Sequence, residues 1–465
     1  MRPIVTVVVF WYTGTMRASN KSSPKAWVVS VDMGYGHQRP AHSLHHLAAG
    51  GSVVVANAYP GIPARDRLIW DKSQSFYEFI SRFKNIPLVG EWAFSVYDRF
   101  QAIPQFYPRR DLSKPNVQLT QIYRLIKRRQ WGRHLITQLA REPRPLIATF
   151  FAIAFMADEF SYPGEIYCLV TDTDISRTWV PLRPTASRIN YFAPNYRVVE
   201  RLKRYGVSGD RIFLTGFPLP PANTGSLSLG TLRRDVAYRL VNLDPQRLYQ
   251  SRYNDIITKY LQVKQLPRRG NHPLTLMFSV GGAGAQREIG ATIVSSLKRE
   301  ITDGRIRLVL IAGIHNSLST YFRDCVRHCG LSKTLGRGVE IVFARSKEAY
   351  FDAFNRALRT TDILWTKPSE LSFYCALGIP IVLAPPIGSQ EVFNRTWLRT
   401  VGAAASQNPP EYTNEWLFDW VESGWLAEAA MQGFVEAPKF GTHNIEKIIQ
   451  KKPTEARKVQ MVLQY

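Results

Sequence analysis

The sequence predicts an α/β protein made of two parallel-sheet domains. Three observations carry this: short runs rich in Val, Ile and Leu alternate with longer amphipathic stretches, the runs fall into two series, and each series opens on a run that enters a Gly-rich turn. Runs apolar along their whole length suit strands buried on both faces, as in sheets covered by helices on either side. The first series places strands at residues 26–31, 52–56, 146–150, 166–171, 189–192 and 212–215. The second places them at 274–280, 307–312, 339–343, 363–365 and 379–384.

Between the series, residues 218–273 hold PLPPANTGS, an Arg-rich helical stretch around 231–260 and the breaker-rich LPRRGNHP. This reads as an interdomain connection with an inserted helical piece, the alternative being a helical excursion within one domain. The expected division is an N-terminal extension at 1–24, a first domain at 25–220, the connection at 221–272, a second domain at 273–410, and aromatic helices with a basic tail at 411–465.

Sixty Lys and Arg against 36 Asp and Glu leave a net charge of +24, which favours an anionic partner: a phospholipid surface, nucleic acid or a phosphorylated ligand. No known nucleic-acid module is present. Four cysteines are too few for a disulfide framework, so a reducing, cytoplasmic setting is expected. Cys325 and Cys329 lie beside His328 in a helical stretch, but no second ligand pair follows at zinc-site spacing, and no metal is expected. The apolar run at 4–12 is too short to span a bilayer and precedes no clear cleavage site, so membrane contact is expected to be peripheral. Residues 99–145 crowd Arg109, Arg110, Lys127, Arg128 and Arg129 among Phe106, Tyr107, Tyr123 and Trp131. That mixture suits an anionic membrane surface, or else a solvated helix face over core aromatics.

Three segments carry chemistry. Asp32-Met33-Gly34-Tyr35-Gly36-His37 links the first strand to a helix start, where free N–H groups and the helix dipole favour an anion, and His37 is a general base, a phosphate donor or a packing residue. Gly281-Gly282-Ala283-Gly284 repeats the pattern at the first strand of the second series. Neither loop is followed by the Gly-Lys-Ser/Thr of a Walker loop, nor by an acidic ribose partner for a nicotinamide dinucleotide. In the third segment, Lys367 is placed to meet a phosphate, and Glu370 or Glu391 to accept two ribose hydroxyls, at the ends of two successive strands.

Together the Gly-Tyr-Gly-His turn, the Val-Gly-Gly-Ala-Gly loop, Gly216-Phe217-Pro218, and the Thr366-Lys367, Gly378-Ile379-Pro380 and Gly388-Ser389-Gln390-Glu391-x-x-Asn394 block resemble the GT-B glycosyltransferases. The nearest likeness is to the monogalactosyldiacylglycerol synthase and MurG-like branch, over residues 25–398. The resemblance implies two Rossmann-like, doubly wound domains facing a central cleft, with the acceptor on the first and a nucleotide-sugar on the second. It also implies metal-independent, inverting transfer to a lipid-linked or membrane-proximal acceptor, with no cofactor beyond the donor, a UDP-sugar. Carried over by position, Gly36, Gly281, Gly282 and Gly284 approach the diphosphate, and Gln390, Glu391 and Asn394 line the sugar and ribose side. His37 or Asp172 is the base, and Gly34, Asp174 and Trp179 lie on the acceptor side. One departure stands out: the family's ribose-holding Glu falls here at Tyr374-Cys375, which leaves Glu370 or Glu391 for that role. Two other readings remain, a nucleotide-sugar 2-epimerase on the same architecture and a non-catalytic protein binding lipid or nucleic acid on a degenerate scaffold.

Overall fold

The structure, a computed structural model, describes residues 25–72, 103–279, 286–386 and 389–450. These residues form two six-stranded parallel sheets. The first holds β1 (Trp27–Ser30), β2 (Val54–Val55), β3 (Leu146–Ala148), β4 (Ile166–Leu169), β5 (Asn190–Ala193) and β6 (Ile212–Leu214), in the order β2-β1-β3-β4-β5-β6. The second holds β7 (Thr275–Ser279), β8 (Arg307–Gly313), β9 (Val339–Phe343), β10 (Ile363–Thr366), β11 (Ile381–Leu383) and β12 (Ala404–Ser406), in the order β12-β11-β10-β7-β8-β9. Strand order reverses at β1/β3 and at β7/β10, and crevices outside the carboxyl ends of such strands are where ligands bind. This is the predicted architecture of two Rossmann-like units. The exception is β12, an edge strand whose short Ala-Ala-Ser run lacks the branched residues that mark the others.

Nine helices matter below: α1 (Tyr35–Ser43), α2 (Val117–Arg129), α3 (Tyr196–Arg204), α4 (Gly230–Leu243), α5 (Leu248–Leu261), α6 (Lys347–Leu358), α7 (Ser389–Val401), α8 (Trp425–Glu436) and α9 (Gly441–Gln450). Side-chain caps start three of them: Asn116, Asn195 and Ser346 accept from the main-chain N–H of Leu119, Val198 and Ala349. Along α2, Leu119, Tyr123 and Ile126 recur at helical spacing and are buried, while Arg124, Lys127, Arg128 and Arg129 are exposed. Trp131 and Phe106 are buried as well, leaving Tyr107 exposed. The aromatic part of the expected membrane-facing mixture therefore belongs mainly to the core, and the cationic part to the surface. Among the described residues no helix is long and apolar enough to cross a membrane.

The stretch between the two series packs into the second unit. Leu232, Val236 and Leu240 of α4 and Ile257 and Leu261 of α5 join the core built on β7–β11. Arg239 is buried and donates to the carbonyls of Thr361, Leu377 and Leu358 at 2.7, 2.8 and 3.3 Å, while Arg359 grips Asp235 with two bonds. Without those carbonyls a buried guanidinium would be strongly destabilising.

The chain then returns. Ile445, Ile448 and Ile449 of α9 pack with Val28, Leu44, Ile147, Phe192 and Phe213 on one face of the first sheet. Thr442 donates to Leu219 O at 2.6 Å and Asn444 to Thr215 O at 2.8 Å, so the outgoing and returning segments run side by side. A Cβ at Gly441 would lie 2.0 Å from Phe217 O. Gly441→Ala is therefore expected to force the crossing apart and to lower unfolding stability by about 1–3 kcal/mol, measured by denaturant unfolding.

Candidate active site between the two sheets

β1 ends at a turn where Gly34 adopts φ 104°, a conformation that residues with a Cβ avoid, and the chain enters α1 directly. His37 sits half-buried in the first turns of that helix. Its Nδ1 lies 2.8 Å from Thr149 O, at the end of β3. A carbonyl oxygen only accepts, so Nδ1 carries the proton and Nε2 keeps its lone pair. Ser30 Oγ donates to His37 O at 2.9 Å and receives Thr149 Oγ1 at 3.1 Å, which ties the turn to its own sheet. Burial pushes the His37 pKa down to about 4, outweighing the Thr149 carbonyl, so the ring is neutral at pH 7. Phe150 and Trp179 flank it, with centroids 5.0 and 6.3 Å away.

Asp172 follows β4, and the Thr171 hydroxyl beside it is 3.5 Å from His37 Nδ1. Desolvation pushes the Asp172 carboxyl up to about 7; Glu370, Glu391 and Asp174 add to this, and the Asn394 amide, 3.5 Å away, opposes it. Asp174 has a different job in the geometry. Both its oxygens are held by arginines of α3, with Arg201 at 2.8 Å to each and Arg197 at 2.9 Å, and Phe106 lies beneath those guanidinium groups. Trp179 is buried against Phe151.

From the second sheet, Lys367 follows β10 and its Nζ meets Glu391 Oε1 on α7 at 2.6 Å. Gln390 and Glu391 sit in the first turn of α7. Asn394, one turn further, is buried, and its Oδ1 accepts from Thr173 N at 3.0 Å and Thr173 Oγ1 at 2.8 Å. It thus fastens α7 to the loop that carries Asp172. Glu370 begins a 3₁₀ helix, Glu370–Leu377; its Oε1 accepts from Arg39 Nε at 3.0 Å, and its Oε2 would stand 3.5 Å from a Cβ on Gly36. Gly281, Gly282 and Gly284 lie outside the described residues. Among the described residues no group of three or more His, Cys, Asp or Glu is placed to hold a metal ion.

Sequence reasoning missed Arg39. Only 3% exposed, it leaves the first unit to enter a cage of Tyr350, Phe351 and Phe354 on α6, its guanidinium 3.9 Å from the Phe354 centroid and Nη2 donating to Tyr350 OH at 2.5 Å. Tyr35 and His42, on the same face of α1, reach across too: Tyr35 OH accepts from Ile314 N at 3.3 Å, and His42 Nε2 lies 3.1 Å from Asp352. Lys347 pairs with Asp32 beside them. The partners of Arg39 are 311 and 331 residues away in sequence, and no local pattern signals them. Arg39→Met would strand the buried Glu370 carboxylate, and a loss of about 3–5 kcal/mol in denaturant unfolding is expected, largely recovered when Glu370→Gln is added.

A family model described as a domain of unknown function (DUF6938) matches residues 262–338. A processive diacylglycerol beta-glucosyltransferase of Bacillus subtilis (strain 168) is 20% identical over 287 residues, covering 60% of this chain and 62% of that protein. Among solved structures, Acinetobacter baumannii MurG aligns over 92% of this chain and all of its own at 12% identity and a TM-score of 0.44. S. aureus MnaA, solved with UDP, aligns over 79% of this chain and 86% of its own at 13% identity and a TM-score of 0.40. The two six-stranded parallel Rossmann-like sheets are the architecture expected of a GT-B protein, and the chain is similar in sequence to the Bacillus subtilis glycosyltransferase.

Proposed function

We propose that the protein transfers a sugar from a nucleotide-sugar, a UDP-sugar in the simplest case, to a hydroxyl of a lipid-linked or membrane-proximal acceptor, by metal-independent, inverting transfer. The observation that carries this reading is the neutral His37, its Nδ1 proton committed to Thr149 O, within a site bounded by Asp172 from one sheet and Lys367 and Glu391 from the other. The diacylglycerol glucosyltransferase relative supports a lipid acceptor.

In this reading His37 Nε2 takes the proton of the acceptor hydroxyl as its oxygen attacks the anomeric carbon. The bond from that carbon to the diphosphate oxygen breaks on the opposite face, and the electron pair leaves with the nucleoside diphosphate. Lys367 and the loop of Gly281, Gly282 and Gly284 receive that charge, with the helix start at Gly34 and Gly36 nearby. Glu370 is locked in the buried pair with Arg39, whereas Glu391 pairs with the less buried Lys367 that turns to the diphosphate, so the ribose hydroxyls fall to Glu391, with Gln390 toward the sugar. Asp172, fastened by Asn394, anchors the acceptor hydroxyl, and Trp179 backs the acceptor side. The exposed cations of α2 face an anionic membrane in this arrangement.

Calorimetric titration with UDP, GDP and dTDP without added metal tests the donor site. Saturable binding of one nucleotide, weakened about tenfold or more by Lys367→Ala, is expected, and binding of none would overturn the reading. The pH profile separates the two bases. A base works only when deprotonated, so with His37 in that role kcat/KM holds through neutral pH and falls as pH drops through about 4; with Asp172 it falls already through about 7. His37→Ala is expected to lower kcat by about 10²–10⁴-fold.

A further inference from the structure

The helix α5 presents a surface that the proposed chemistry does not use. Its inner side is fixed by Ile257 and Leu261, both fully buried, against α4 and α8. Its outer side exposes Leu248 at 49%, Tyr253 at 39%, Ile256 at 46% and Tyr260 at 43%. Twelve large apolar side chains are exposed among the described residues, and these four of them share one helix of fourteen residues. The helix bends at Tyr253 (φ −124°, ψ 21°); Leu248 with Arg252 before the bend and Ile256 with Tyr260 after it are each spaced i, i+4, and Tyr253 stands at the bend in ring contact with Tyr249. Four exposed apolar side chains on one bent helix cost solvation unless something covers them.

Charge narrows what covers it. Residues 247–269 carry six cations, Arg247, Arg252, Lys259, Lys264, Arg268 and Arg269, against the single acid Asp255, and all six are exposed. A second copy of the chain seated on the same face would bring Arg252 and Lys259 against their own counterparts, which is repulsive. Leu, Ile and Tyr between exposed Lys and Arg instead match a helix lying in the interface of an anionic bilayer, rings and branched chains at headgroup depth and cations snorkelling to the phosphates.

We infer that α5 is a membrane-seating helix, which docks the second unit on an anionic phospholipid surface through Leu248, Tyr253, Ile256 and Tyr260, with Arg252 and Lys259 on the lipid phosphates. This deepens the membrane-proximal part of the function proposed above and rests on it. Its test uses neither nucleotide nor acceptor, so each can fail separately.

The full chain is sedimented with vesicles of phosphatidylglycerol and, separately, of phosphatidylcholine. Binding to the first and not the second is expected, weakening with salt. Two double variants at exposed positions, Ile256→Asp with Tyr260→Asp and Arg252→Glu with Lys259→Glu, are each expected to lower phosphatidylglycerol partitioning about fivefold or more with the unfolding midpoint unchanged. No vesicle binding by the unaltered chain would overturn the proposal. So would binding that survives both α5 variants but is lost when Lys127, Arg128 and Arg129 are reversed to Glu. Binding of duplex DNA that is lost with the cations and indifferent to Ile256→Asp would overturn it in favour of nucleic acid, and concentration-dependent dimerisation abolished by Ile256→Asp in favour of a second copy.

Discussion

Placing Arg39 inside the second unit is the constraint on which the geometry of the site depends. Moving a guanidinium and a carboxylate out of water costs several kcal/mol for each ion, and their attraction offsets this only in good geometry. Arg39 and Glu370 meet that condition at 3.0 Å, with Tyr350 and the Phe354 ring completing the cage. What such a pair contributes is chiefly register, because a small sliding of one unit over the other would leave two buried charges unmatched. Tyr35, Arg39 and His42 recur at i, i+4 and i+7 on α1, so one helix face engages the second unit while His37, two residues before Arg39, holds to Thr149 of the first. The helix that carries the candidate base is therefore also the helix that fixes where the second sheet stands relative to it.

Asn394 closes the other side of the same crevice. Its amide accepts two bonds from Thr173 and faces Asp172, so α7 of the second unit positions the loop after β4 of the first. The carboxyl held there is pushed up to about 7 by burial and by the other acids around it, whereas Asp174, two residues on, is paired with two arginines instead. Neighbouring carboxylates in one loop thus have opposite surroundings, one suited to a role in chemistry and one to anchoring.

Much of this was legible in the sequence, for local reasons. Eleven strands were readable because each is built mainly of Val, Ile, Leu or aromatic residues, and β12 was not, because Ala-Ala-Ser at an edge carries no such signal. The turn of Gly34 to His37 and the block from Lys367 to Asn394 were readable because each bundles its residues within a few positions of a strand end. Arg39 with Glu370 and Thr173 with Asn394 were not, since each pair joins segments more than two hundred residues apart and no spacing rule reaches that far. On α2 composition left two readings open, a membrane-facing mixture or a solvated face over core aromatics, and the spacing of Leu119, Tyr123 and Ile126 turns the ring of this helix inward.

The side-by-side passage of the chain at residues 216–219 and 438–441 has a consequence for how the protein is made. The first unit is discontinuous: its sheet is complete by residue 214, yet the helix that covers one face of it, α9, begins at residue 441. The whole second unit is, topologically, an insertion between a sheet and its own covering layer. During synthesis Val28, Ile147, Phe192 and Phe213 wait for Ile445, Ile448 and Ile449 until the whole second unit has been made. The ribosome therefore releases a first unit that cannot finish folding before the second, and an incomplete chain is left with an uncovered apolar sheet face for quality control to recognise.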